Sequence, residues 1–98
     1  MKRVRYHPIA REEYLATLRH YRFISLNLGQ RFKTAYERAL NMVRNWPESG
    51  RLMKGQVRRV LLGDGFSYGL FYVPHEDEII ILSVMSDKQD PTTWHERT

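Results

Sequence analysis

The chain has 98 residues, sixteen Lys and Arg against eleven Asp and Glu, and no cysteine. That length allows one domain, 1–98, with a modest core, and the missing thiols exclude disulfides and thiolate metal sites and fit a reducing compartment. The net charge of +5 draws a protein toward polyanions or an acidic protein partner, unless it merely solvates the surface.

No apolar run approaches the ~20 residues of a membrane helix, and the basic start MKRVRYHPIA leads into no apolar stretch. A cytoplasmic protein with no membrane contact and no secretory signal is therefore expected. Residues 2–6 (KRVRY) alternate Val4 and Tyr6 with basic groups and read as a short strand, ended by His7-Pro8. Pro8 suits the entry of a helix. Over 9–24, Ile9, Ala10, Tyr14, Leu15, Leu18 and Tyr21 recur at helical spacing. Glu12 and Glu13 fall in the expected first turn and Arg19, His20 and Arg22 in the last, which complements the helix dipole.

Ser25 and Asn27 are two candidate N-caps for a second helix over 28–45. Its apolar stripe is Leu28, Phe32, Ala35, Tyr36, Ala39, Met42, Val43 and Trp46, and Pro47 and Gly50 end it. So short a connection predicts an antiparallel helical hairpin. Residues 51–55 (RLMKG) read as a loop. Three runs rich in Val, Leu, Ile, Phe and Tyr follow, at 57–62, 66–73 and 78–85. Gly63-Asp64-Gly65 and Pro74-His75-Glu76-Asp77 separate them, so they read as a meander of three strands.

The predicted order is β-α-α-β-β-β, a two-layer α+β domain with a mostly antiparallel four-stranded sheet and the hairpin on one face. Side-chain alternation puts Phe66, Tyr68, Leu70 and Tyr72 on one face of the middle strand and Gly69, Phe71 and Val73 on the other. Both faces are apolar, so the side away from the helices calls for a cover of its own, which points to a partner.

The four histidines show no ligand spacing, and no glycine-rich phosphate loop opens a helix, so no metal or cofactor is expected. The chemistry-bearing residues left are basic. Arg51, Lys54, Arg58 and Arg59 precede or open the meander, and Lys88, His95 and Arg97 lie in the tail. Such a set can hold phosphates and, with proton transfer, cleave RNA without a metal; equally, it can only solubilise the sheet edge. Trp94 packs on the domain or stacks on a partner.

In order and spacing these pieces resemble the RelE/ParE superfamily of type II toxin–antitoxin toxins. The resemblance runs from Tyr6-His7-Pro8-Ile9-Ala10 through Glu13-Tyr14-Leu15, Leu28-Gly29-Gln30-Arg31-Phe32 and Asn45-Trp46-Pro47-Glu48-Ser49-Gly50. It continues with Val57-Arg58-Arg59-Val60-Leu61-Leu62, Phe66-Ser67-Tyr68, Phe71-Tyr72 and the isoleucine-rich last strand, and finishes at Asp90-Pro91 with Trp94. It implies a toxin silenced by a cognate antitoxin whose acidic or amphipathic segment wraps it.

Cleaving members usually carry His, Arg or Tyr just after the last strand. This chain has Ser86-Asp87-Lys88-Gln89 there, and Asp87 would repel a phosphate. The ParE branch is favoured, which implies DNA gyrase as target and Arg58, Arg59, Lys88, Trp94, His95 and Arg97 as candidate contacts. The alternative is a RelE-like endoribonuclease acting on mRNA at the ribosome. There Arg51, Lys54 and Arg58 or Arg59 would hold phosphates, and Lys88 or His95 would move protons. A module that only binds an antitoxin is the third reading.

Overall fold

The computed structural model describes residues 2–86 and Arg97. Its elements are β1 (Arg3–Tyr6), α1 (Pro8–Ile24), α2 (Leu26–Asn45), β2 (Arg51–Lys54), β3 (Val57–Gly63), β4 (Phe66–Pro74) and β5 (Glu78–Ser86). They form the expected two-layer α+β domain. The sheet has five strands rather than four, in the order β1-β5-β4-β3-β2.

The additional strand is β2, expected as a loop. RLMK lacks the alternating β-branched and aromatic residues that mark a strand in sequence. Pairing with β3 makes it one, with Arg51 opposite Arg59 and Leu52 opposite Arg58. It is an edge strand, and its exposed Arg51 and Lys54 discourage further pairing on that side. The opposite edge is β1, parallel to β5, with Val4 opposite Ile79 and Tyr6 opposite Ile81. The β3–β4 turn places Asp64 and Gly65 at φ 54° and 84°, the two positive values that a type I′ hairpin needs.

Pro8 is the first residue of α1, and His7 caps it by accepting the Ile9 amide at Nδ1 (3.2 Å). Starting there, α1 has no acidic residue in its first turn. The dipole role expected of Glu12 and Glu13 is therefore not the one the structure gives Glu13, which turns instead to β5. A single residue, Ser25, joins the helices. Its amide donates to the Tyr21 carbonyl (3.0 Å), closing α1, and its Oγ accepts the Leu28 amide (3.1 Å), opening α2. Of the two expected caps, Ser25 is the one used.

The main core lies between the hairpin and the sheet. Phe32, Ala35, Tyr36, Ala39 and Val43 of α2 and Ala10 and Leu18 of α1 pack on Val60, Leu62, Leu70, Tyr72, Ile79, Ile81 and Val84. Tyr21 and Phe32 meet Phe66 edge-on, at 5.1 and 5.3 Å between ring centres. The Tyr6 and Tyr36 hydroxyls bond each other within this layer, and burial pushes the Tyr36 phenol far up. Ile9, Met42 and Trp46, expected on the apolar stripes, are exposed. They sit in the first turn of α1, the last turn of α2 and its C-cap, where the stripe no longer meets the sheet. None of the described helices is long and apolar enough to cross a membrane.

Candidate functional site

Strand alternation sends a second set of side chains to the sheet face turned away from the helices. Val57, Phe71, Val73, Leu82 and Met85 form a separate cluster there, with Met53 and Ile80 packed against it. These five are each 8% exposed or less, so this face is a small core in its own right and not a bare surface. What stays open is a groove of about 740 Å³ across it. Val57, Val73, Ile80 and Leu82 line its floor. Arg5, Lys54 and Arg97 stand at its rim with His7 and His75.

Each rim group is placed by its strand. Arg5 pairs with Ile80 in the β1–β5 register, so it leans over the floor, and its Nη2 reaches Glu78 Oε2 at 2.9 Å. The guanidinium, mainly by hydrogen bonding, holds the Glu78 carboxyl below its ordinary range. Lys54 ends β2 beside the Gly55 turn, where φ is 58°. Arg97 is held more firmly. Its Nη1 donates to Glu13 Oε1 and to the Leu82 carbonyl, both at 2.9 Å.

The same Glu13 Oε1 accepts from Ser83 Oγ (3.0 Å) and from the Val84 amide (3.1 Å). This network sits on a β-bulge, because Phe71 faces Ser83 while Tyr72 faces Ile81, leaving Leu82 as the extra residue. Glu13 thus satisfies a backbone amide and a hydroxyl beside the bulge, and Arg97 neutralises Glu13.

The sequence-predicted basic residues divide. Arg58 and Arg59 do point to opposite faces. Arg58 donates to the carbonyls of Glu48 (3.2 Å) and Gly50 (2.8 Å), where it ties the segment after α2 to β3. Tyr72 reinforces that tie: its hydroxyl donates to the Pro47 carbonyl (2.7 Å) and accepts the Gly50 amide (3.0 Å). Arg59 lies over Gly69, whose missing Cβ makes room for it; a Cβ there would come within 3.1 Å of the arginine methylenes. Its Nε is buried and makes no hydrogen bond among the described residues.

Arg51 stays exposed on the outer edge. Lys88, Trp94 and His95 lie outside the described residues. The groove therefore joins Lys54 and Arg97 with Arg5, His7 and His75, which sequence reading did not single out. The signal for Arg5 was its alternation with Val4 and Tyr6 on an edge strand. No local pattern marked the two histidines. Chemically, the groove is an apolar floor bordered by cations, suited to an amphipathic segment carrying carboxylates.

A family model described as the ParE toxin of type II toxin–antitoxin system, parDE, matches residues 4–91. No match is found among curated proteins. Among solved structures, a chain of the chromosomal ParDE TA system from P. aeruginosa matches with a TM-score of 0.71 at 16% identity. The match covers 88% of this chain and 96% of that one, and at such identity it shows the fold alone.

Proposed function

The chain belongs to the ParE toxin family of type II toxin–antitoxin systems, and from that premise we propose that it poisons DNA gyrase by binding and is silenced by an antitoxin segment seated in the groove. The match over residues 4–91 carries the toxin reading. The groove supports the antitoxin's seat, since an acidic amphipathic segment there packs on the half-buried Ile80 and meets the exposed Arg5 and Lys54. Such a segment folds as it binds, which suits a wide and shallow surface.

The family match favours binding over hydrolysis. Arg58 is spent on backbone carbonyls and Arg97 on Glu13, so both of these expected contacts have structural work whichever target is engaged. A toxin that acts by holding its target needs no general base. Cytoplasmic action follows from such a target.

The test is a gyrase supercoiling and DNA-cleavage assay with purified protein, with and without its antitoxin. Inhibition with trapped broken DNA, reversed by the antitoxin, is the expected result. Folded protein that arrests growth yet leaves gyrase untouched would move the target to the ribosome, where mapped mRNA cuts decide.

A further inference from the structure

The tip of the helical hairpin carries a surface that folding does not use. Phe23 is 91% exposed, Leu26 81% and Ile24 58%, all within two residues of Ser25. Single exposed apolar residues are ordinary, but three large ones on one corner form a patch. The core does not need them, because Tyr21, Leu28 and Phe32 already carry the helices onto the sheet at this end.

The corner is rigid. Ser25 ends one helix and caps the next, and its carbonyl also accepts the Gly29 amide (3.0 Å). Gly29 lets the two helices close up: a Cβ there would lie 2.4 Å from Arg22 Cγ. A patch held this way loses little entropy when a partner covers it. The stretch of chain around it carries charges of one sign. No acidic residue occurs between Glu13 and Glu37, a stretch that contains Arg19, Arg22, Arg31 and Lys33. Arg19 and Arg22 are exposed beside the patch, while Arg31 is drawn to Asp64 (3.4 Å).

We propose that the hairpin tip is the toxin's target-binding element: Phe23 and Leu26 enter an apolar pocket bordered by carboxylates on a folded protein. The inference rests on the toxin reading above. An exposed aromatic flanked by arginines matches the residue types enriched at protein interfaces, and Leu26 adds apolar area beside it. Three side chains on a narrow corner are too few to hold a membrane surface by themselves. The tip belongs to the helical layer and the groove to the opposite sheet face, so target and antitoxin would engage different surfaces.

The experiment compares wild type with Phe23→Ser/Leu26→Ser in growth arrest on expression, in gyrase inhibition, and in antitoxin binding by calorimetry. Expected is a loss of about tenfold or more in gyrase inhibition and in growth arrest, the size that removing hot-spot anchors produces. Antitoxin affinity and unfolding temperature should stay unchanged. Undiminished growth arrest by the variant overturns the proposal, as does a parallel loss of antitoxin binding. It is equally overturned if wild type, but not the variant, self-associates in sedimentation or binds anionic vesicles.

A wild type that is toxic but inert toward gyrase refutes the gyrase reading alone. Growth arrest then decides the tip: loss in the variant supports it and retention overturns it. A wild type with neither effect overturns both.

Discussion

The two faces of the sheet are built from the same kinds of residue and do different work. Among the described residues, the face under the hairpin gathers fifteen buried residues into one cluster, and the opposite face gathers five. The larger cluster is closed by two helices and keeps its polar groups paired, as with Tyr72 and the backbone at Pro47 and Gly50. The smaller one keeps an open groove bordered by cations and an arginine Nε without a hydrogen-bond partner among the described residues. One chain thus covers one face with its helices and leaves a groove on the other, and the strand alternation keeps the two apart.

The largest way to break this contrast is Phe32→Ala. Phe32 is fully buried between the layers, and its loss should cost about 3–5 kcal/mol, read as a shift of the denaturant midpoint. An unchanged midpoint would mean that the covered face is not what holds the fold.

Next is the join between the faces. Glu13→Ala leaves Arg97 uncompensated and frees the Ser83 and Val84 donors, at a cost of about 3 kcal/mol. A double-mutant cycle with Arg97→Ala should show coupling of about 1–2 kcal/mol. Purely additive losses would mean the pair does not act as one unit.

Smaller in stability is Ile80→Asp on the groove floor. Ile80 is half-buried, so folding should lose about 1–2 kcal/mol, while antitoxin affinity falls about tenfold or more through a charge set in the contact. Full affinity in this variant would remove the antitoxin from the groove.

The smallest effect is that of pH on the Arg5–Glu78 pair. The folded carboxyl titrates below its unfolded value. Its contribution is therefore complete above the unfolded value near pH 4 and fades as pH falls through the lower folded one. Glu78→Gln should flatten that acid limb of the stability profile. The difference will be small because the pair is open to solvent.

Local chemistry made most of the fold legible. The stripe from Phe32 through Val43, the runs on either side of Gly63-Asp64-Gly65, and the opposite faces of Leu70 and Phe71 follow from 3.6- and 2-residue periods. They came out as expected because each element's own pattern agrees with its neighbours. β2 was missed because an exposed edge strand gains its conformation from a partner strand and not from its own residues. The site was read less fully. Arg58 and Arg59 were found as a pair, but only packing separates the arginine that binds carbonyls from the one that lies over Gly69. Phe23 and Leu26 fall off both helical stripes, a mark present in the sequence but without meaning until the fold shows that nothing covers them.

The sequence alone therefore determined the helices, the meander, the basic character and the family resemblance, all set by neighbours within a few residues or by charges that simply add. Tertiary structure decided that Arg58 and Arg97 are committed to structural partners and that Arg5 and Lys54 stand exposed at the groove. It also decided that Glu13, far from β5 in sequence, accepts from the Ser83 hydroxyl and the Val84 amide there, and which apolar residues stay in water. The physical reason is that burial and hydrogen-bond satisfaction depend on what the rest of the chain brings to the same place, and no local pattern carries that information.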